Sequence, residues 1–344
     1  MIRRARPPPS RATDVDFAVV VSTRNDPAVA LVAAALEARG ARPIRFDTDA
    51  FPTDAHASLR CGAGPDDVIL ESEHGRAAFS DLSAIWLRRL DIAARLPPDL
   101  DPRYRAPARD QAHAALVGIL ASFRGRILDP LRLIDAAADK PRQLQLARAL
   151  GLDIPRTLLT NDPAAVRDFA RSCPDGLVTK PLSALVIDDG PGEQVMYTSA
   201  LAPADLDDLD GLRLCPLMFQ QRVPKHLEIR ATVVGRRVFA AAVDSAASAR
   251  GQIDWRRDGA RLDDHWQPHS LPAAIADRLV ALVAELGLTY SAADLILTSD
   301  GRHVFLESNP AGEWLWLEQP LQLGIADAIA DELLAGPPHP ARRA

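Results

Sequence analysis

With 344 residues, 47% of them apolar and 25% charged, the chain has ordinary globular composition and enough length for two or three packed domains. A net charge of −6 argues against a general nucleic-acid binder, and no run of about 18 apolar residues is present to span a membrane. Cys61, Cys173 and Cys215 stand alone with no CxxC pair, which argues against a disulfide scaffold or zinc site and fits a reducing cytoplasm.

The opening MIRRARPPPSRAT is basic and proline-rich but lacks the apolar core of a signal peptide. Residues 1–15 are therefore expected to form a flexible arm, and residues 336–344 a matching tail. Phe17–Ser22 reads as a buried strand, Ala28–Arg39 as a helix capped by Asn25 or Asp26, and Arg42–Phe46 as the next strand. This βαβ opening predicts a small parallel α/β unit, and without GxGxxG it offers no dinucleotide fingerprint. Strands are expected at Val68–Glu71, Arg76–Phe79 and Ala84–Leu87, the last leading into Arg88 and Arg89, which suit either a surface face or an anion contact. A helix over Gln111–Phe123 and a short strand at Ile127–Leu128 complete this part.

The pattern changes near residue 135. Ala136–Leu150 carries a helical apolar stripe ending at Gly151, with Lys140 following Asp139 at a helix opening. Strands are expected at Thr157–Thr160, at Leu177–Pro181 with Lys180, and at Leu217–Val223. Glu228–Val234 and Val238–Val243 flank Gly235-Arg236 as a hairpin. Leu271–Leu286 is an amphipathic helix closed by Gly287, with Ile275, Leu279, Leu282, Val283 and Leu286 on one face.

The segment Gly287 to Glu318 holds two apolar runs, Ala292–Thr298 and His303–Leu306, joined by Ser-Asp-Gly-Arg. Asp-Gly between alternating apolar residues predicts a two-residue hairpin turn, which would set Asp294 opposite Glu307 and return Asn309 to the same face. Facing carboxylates repel, and a hard cation between them removes the penalty; an all-oxygen Asp/Glu/Asn set suits Mg²⁺. A solvated hairpin edge is the alternative. Two lysines on separate elements, Lys140 and Lys180, and an antiparallel region with Lys225, Glu228 and Arg230 could hold the phosphates of a nucleotide that such a metal bridges. The alternative for Arg230 is a partner for Glu228 or Asp254.

The stretches DKPRQLQLARALGLDIPRTLLTN, VTKPLSAL, FQQRVPKHLEIRATVVGRRVFAAAVDS, QIDWRR and DLILTSDGRHVFLESNPAGEWLWLE, together with VVVSTRND, FDTDAFP and IWLRRL nearer the start, resemble the ATP-grasp ligases. Within them the chain is most similar to the graspetide, or microviridin-type, peptide ligases, relatives of the RimK-type ligases. The resemblance implies an ATP-grasp fold, α/β overall and α+β in the C-terminal half. It divides the chain into a parallel α/β pre-ATP-grasp domain (16–134), a central subdomain (135–218) and a C-terminal subdomain with the metal site (219–335).

It also implies ATP and Mg²⁺ as cofactors. Lys140 and Lys180 would contact phosphates, Gln220, Gln221, Arg222 and Val223 would form the hinge against adenine, and Lys225 would lie at the nucleotide. Arg230 would neutralise the transferred phosphate, and Asp294, Glu307 and Asn309 would bind Mg²⁺. The implied partner is an acidic ribosomal precursor peptide with leader and core, contacted by Arg88, Arg89, Arg250, Trp255, Arg256 and Arg257, with Trp314 as a wall on the acceptor side. Nucleic acid and membrane are not implied, and a homodimer is left open.

The implied reaction activates Asp or Glu side chains as acyl phosphates and joins them to Ser/Thr hydroxyls or Lys amines. A RimK-like ligase acting on amino acids or a protein terminus, and a non-catalytic nucleotide-binding adaptor, are the alternatives. The sequence departs from the family pattern in three places. The loop over 182–195 carries only Gly190 and Gly192, Ser291 stands where Gly is expected, and Ser308 replaces an apolar residue between Glu307 and Asn309. His226, His265 and His303 are not distinguishable as general bases from ordinary surface histidines.

Overall fold

The computed structural model describes residues 17–62, 64–182, 186–188, 193–195, 198–245 and 265–335. The chain forms two compact units, one made of the residues up to Pro130 with those from Ile329 onward, the other of Leu131–Ala328.

In the first unit, β1 (Phe17–Ser22), α1 (Ala28–Ala38) and β2 (Arg42–Asp47) form the expected right-hand start of an α/β layer. A three-stranded antiparallel sheet follows, built from β3 (His56–Arg60), β4 (Asp67–Ser72) and β5 (Gly75–Ala78). β3 was not legible in the sequence, because its residues are mostly exposed and its short alternation rests on Ala57 and an exposed Leu59 alone. β6 (Leu82–Leu87), α2 (Pro102–Ala121) and β7 (Arg126–Leu128) complete a parallel sheet of order β2-β1-β6-β7. Its central strands are continuous apolar runs, as a sheet covered on both faces requires. Helix α2 begins nine residues earlier than expected, because Asp101 caps it by accepting the Arg103 N–H (3.0 Å) and Pro102 fits its first position.

The second unit opens with two helices where one was expected. α3 (Leu131–Ala137) stops before Asp139, and α4 (Lys140–Ala149) restarts with Asp139 as its cap. The Asp139 carboxylate accepts the Arg142 N–H at 3.2 Å, so the acid preceding Lys140 ends one helix and starts the next. β8 (Thr157–Thr160), α5 (Pro163–Arg171) and β9 (Leu177–Lys180) follow. β10 (Val186–Asp188) and β11 (Glu193–Val195) pair as an antiparallel hairpin. β12 (Ser199–Ala200) and β13 (Leu217–Gln221) then complete a sheet of order β12-β9-β13-β8.

The other sheet of this unit has order β16-β15-β14-β17-β18. It comprises β14 (Leu227–Val234), β15 (Arg237–Val243), β16 (Gln267–Pro268), β17 (Tyr290–Leu297) and β18 (His303–Asn309). Helix α6 (Ala273–Glu285) lays Leu279, Leu282 and Val283 on its back, sharing one core with Leu144 and Ala147 of α4, Ile229, Ala231 and Phe305. The helices α7 (Leu315–Leu321) and α8 (Ile325–Leu334) close the described chain. The architecture is thus mixed α/β, with a parallel sheet and a small antiparallel one in the first unit and antiparallel sheets in the second.

The β17–β18 hairpin differs from the expected one in a way that matters. Leu297 pairs with His303, Ile296 with Val304 and Leu295 with Phe305, so the connection holds one residue more than a two-residue turn allows. Gly301 sits at φ +86, the left-handed residue that ends such a longer loop. A bulge between Asp294 and Leu295 then shifts the ladder by one, and Asp294 faces Glu307 after all. The expected pairing is present, reached through two offsets that cancel.

Candidate nucleotide and metal site

The site forms within the second unit, on the face of the five-stranded sheet that presents Arg230, Asp294 and Glu307. Neighbouring strands put Arg230 beside Asp294 and Asp294 beside Glu307, and Asn309 pairs with Ala292 two residues farther along. Arg230, 6% exposed, meets Asp294 with Nη1 2.8 Å from Oδ1, and its Nη2 donates to the Glu313 carbonyl at 3.1 Å. The Glu307 carboxylate is approached by two lysines from separate elements. Lys140 Nζ, at the start of α4, lies 3.4 Å from Oε2, and Lys180 Nζ, at the end of β9, lies 3.5 Å from the same atom. Lys140 also donates to the Pro181 carbonyl at 3.2 Å, one residue beyond Lys180.

Two carboxylates held face to face by strand pairing are thus balanced by cations from three elements. The oxygen-only donor set of Asp294, Glu307 and Asn309 fits a hard divalent ion, which would take over the neutralising role the side-chain cations now perform. Asn309 Oδ1 accepts the Ala311 N–H at 3.0 Å, which fixes the amide oxygen while leaving it a second lone pair.

The turn after Asn309 closes over Arg230. A Cβ on Gly312 would lie 2.8 Å from Arg230 Nη2 and 2.5 Å from the Ala292 Cβ, so only glycine lets the turn approach the guanidinium. Tyr290 anchors this turn by donating to the Gly312 carbonyl at 2.6 Å. Neither residue was singled out from sequence; the Asn-Pro-Ala-Gly run directly after a metal-type strand is the signal that could have marked Gly312.

The macrocyclase MdnC of Microcystis aeruginosa MRC, crystallised with the precursor peptide MdnA, is 38% identical with a TM-score of 0.83, over 93% of this chain and 99% of that one. The chain belongs to the ATP-grasp macrocyclases of ribosomal-peptide maturation. A RiPP-associated ATP-grasp ligase of Chryseobacterium gregarium, solved with ADP and with leader and core peptide, is 30% identical at a TM-score of 0.89, covering 93% of this macrocyclase-family chain and 97% of its own. The ATP-grasp ligase PsnB, complexed with a precursor variant, Mg and ADP, is 25% identical at a TM-score of 0.72, over 93% and 98% of the two chains. A family model described as the MvdD pre-ATP grasp domain matches residues 18–135. No curated protein matches the chain.

The remaining expected site residues of this ligase fall into four groups. Gln220, 3% exposed, donates from Nε2 to Thr157 Oγ1 at 3.0 Å, and Gln221 donates from Nε2 to Asp175 at 3.4 Å. The backbone N–H groups of Gln221 and Arg222 go to the Arg156 and Gly176 carbonyls, both at 2.9 Å. Lys225 is ion-paired with Glu228 at 2.6 Å.

Arg88 and Arg89 belong to the first unit, where both approach the Asp26 carboxylate, at 3.4 and 3.5 Å. Arg88 is only 6% exposed, so a surface face is ruled out for it, whereas the Arg89 side chain is half-exposed. Trp314 is a correction: with 0% exposure it lies inside the fold at the start of α7 and presents no wall to a peptide. Its neighbours along the chain explain why, since Trp316 and Leu317 pack with Trp266, Ala241 and Val243 and draw the segment against the sheet. Arg250, Trp255, Arg256 and Arg257, and the Asp254 alternative for Arg230, lie outside the described residues.

Proposed function

We propose that this macrocyclase-family ligase uses ATP to activate Asp or Glu side chains of an acidic precursor peptide and joins them to Ser/Thr hydroxyls or Lys amines of the same peptide. The observation that carries the proposal is the convergence of Lys140 and Lys180 on Glu307, directly opposite the Arg230–Asp294 pair. Carboxylates already neutralised in this way suit exchange of their cations for a metal-bound nucleotide, and the ADP and Mg in the structures of relatives agree with it.

In this reading Lys140 and Lys180 hold phosphate oxygens, and Lys225 lies at the nucleotide. The backbone of Gln220 to Val223 serves the adenine edge, where the N–H groups of Gln221 and Arg222 are already donated within the chain. Asp294, Glu307 and Asn309 would hold Mg²⁺, which when bound would neutralise phosphate charge. Arg230 is fixed by the Asp294 carboxylate and the Glu313 carbonyl, so its charge is preorganised where the transferred phosphoryl group develops charge. The peptide carboxylate attacks the γ-phosphorus, ADP leaves, and an acyl phosphate forms. A hydroxyl or amine then attacks the acyl carbon, the attacking group loses its proton, and phosphate leaves. The chain's contribution is orientation and charge neutralisation. Arg89, half-exposed, and the arginines of residues 250–257 are the cationic contacts proposed for an acidic core.

The test is ADP release and peptide mass, with ATP, Mg²⁺ and a synthetic acidic peptide carrying Thr and Lys. Loss of one water per bond identifies crosslinking, whereas mass gain on added amino acids would point to the RimK-like alternative. Glu307→Gln combined with Asn309→Ala should abolish Mg²⁺-dependent turnover while leaving the fold intact. Retained turnover would refute the site.

A further inference from the structure

Among the described residues β18 is the outer strand of its sheet, so one backbone edge of the strand that carries Glu307 and Asn309 has no neighbouring strand there. Near its start the edge is covered by backbone, the Phe305 N–H donating to the Asp153 carbonyl at 2.8 Å. At residue 308 it is covered by a side chain. Gln143, 2% exposed, accepts the Ser308 N–H through Oε1 at 2.9 Å and donates from Nε2 to the Ser308 carbonyl at 2.6 Å. The second Nε2 hydrogen goes to the Ala137 carbonyl at 2.7 Å, at the end of α3. Two carbonyls and one N–H permit only this orientation of the amide.

The Ser308 N–H belongs to the peptide plane shared with Glu307, and the Ser308 carbonyl to the plane shared with Asn309. One buried amide therefore fixes both planes between two of the oxygen donors. Gln143 also lies one helical turn beyond Lys140 on α4, and Lys140 Nζ sits 3.4 Å from Glu307. The helix that carries a phosphate-type lysine is thus locked in register with the strand that carries the carboxylate it faces.

We infer that Gln143 is a positioning residue that sets the geometry of Glu307 and Asn309 relative to Lys140. The inference rests on the metal-site reading given above. Mg²⁺ demands near-ideal octahedral ligation, so a small rotation of either peptide plane is felt in metal affinity before it is felt in nucleotide contact. Partners that orient ligands in this way are worth about 10–100-fold in metal affinity or activity.

The test is calorimetric titration of the full-length chain with ADP at a series of Mg²⁺ concentrations, with the melting temperature recorded for each variant. Gln143→Leu should raise the half-saturating Mg²⁺ about tenfold while changing metal-free ADP affinity by less than about twofold. Gln143→Glu keeps an acceptor for the Ser308 N–H but has no donor for either carbonyl, and should shift the Mg²⁺ requirement in the same direction. An unchanged Mg²⁺ requirement in both variants would overturn the inference. So would failure of both to fold, since the amide would then serve stability rather than register. Glu307→Gln/Asn309→Ala run in parallel separates the two ideas. If that double variant keeps its Mg²⁺ response, the metal site is wrong; if it loses the response while Gln143→Leu keeps it, only the role of Gln143 falls.

Discussion

Ser291 Oγ and Ser308 Oγ lie 2.6 Å apart, both buried, on the side of β17 and β18 away from Asp294 and Glu307. These are two of the three positions at which the sequence departs from the family pattern, and they form one hydrogen bond. A lone serine at either place would leave a hydroxyl buried without its partner. Ser291→Ala and Ser308→Ala should each cost about 1–3 kcal/mol in urea unfolding, and the double variant less than their sum. Additive costs would show that the pair is incidental.

Gly312 is expected to be intolerant of the smallest substitution. A Cβ there meets Arg230 Nη2 at 2.8 Å and the Ala292 Cβ at 2.5 Å, so Gly312→Ala must displace the guanidinium or the turn. Displacement of a charge-stabilising group by about 1 Å typically costs about 100-fold in rate. ADP release should fall by that order with little change in ADP affinity, and Ala292→Gly added to Gly312→Ala should restore part of it.

Glu318 is a structural counterpart to the site carboxylates. Its buried carboxylate accepts the N–H groups of Gly324 (3.1 Å) and Ile325 (3.1 Å), capping the start of α8. Glu318→Ala should cost about 1–2 kcal/mol in stability, read from the denaturant midpoint, and leave the Mg²⁺ requirement for ADP binding as it is.

A pH effect on stability is expected from His269 and His303, whose rings lie 6.2 Å apart. Burial pushes the His269 imidazole below its ordinary value, with the neighbouring His303 adding to the effect, and burial lowers His303 as well. The folded state therefore favours the neutral rings, and between the lowered values and about 6.5 the unfolded chain binds more protons. Their contribution is complete above about pH 6.5 and is lost as pH falls below it. Urea midpoints at pH 7.5 and 5.5 should diverge less in His269→Gln/His303→Gln than in the native chain; equal divergence would assign the effect to other groups.

Much of the scaffold was legible because the periodicities are strong. Phe17–Ser22 is a continuous apolar run and became a central parallel strand, and the amphipathic face of Leu271–Leu286 became the packing face of α6. The oxygen donors of the site were legible because residue type and alternation suffice to put Asp294, Glu307 and Asn309 on one face. The route to that face was not: the hairpin loop is longer than Asp-Gly suggests, and a bulge absorbs the difference. Loop length and bulge position reflect how the strand ends pack, which local propensity does not encode.

The sequence by itself determined the two classes of layer, the order of the lysines, the arginine and the carboxylates, and the hard-oxygen character of the donor set. These depend on residue type and short-range spacing. Only the tertiary structure decided which of those charges meet. It paired Lys225 with Glu228 and Arg230 with Asp294, drew Lys140 and Lys180 to one Glu307 oxygen, and turned Trp314 inward. It also brought Gln143 to Ser308, 165 residues apart in sequence. Such contacts arise because buried polar groups must find partners wherever the packed elements put them, and no window of sequence contains both ends of that choice.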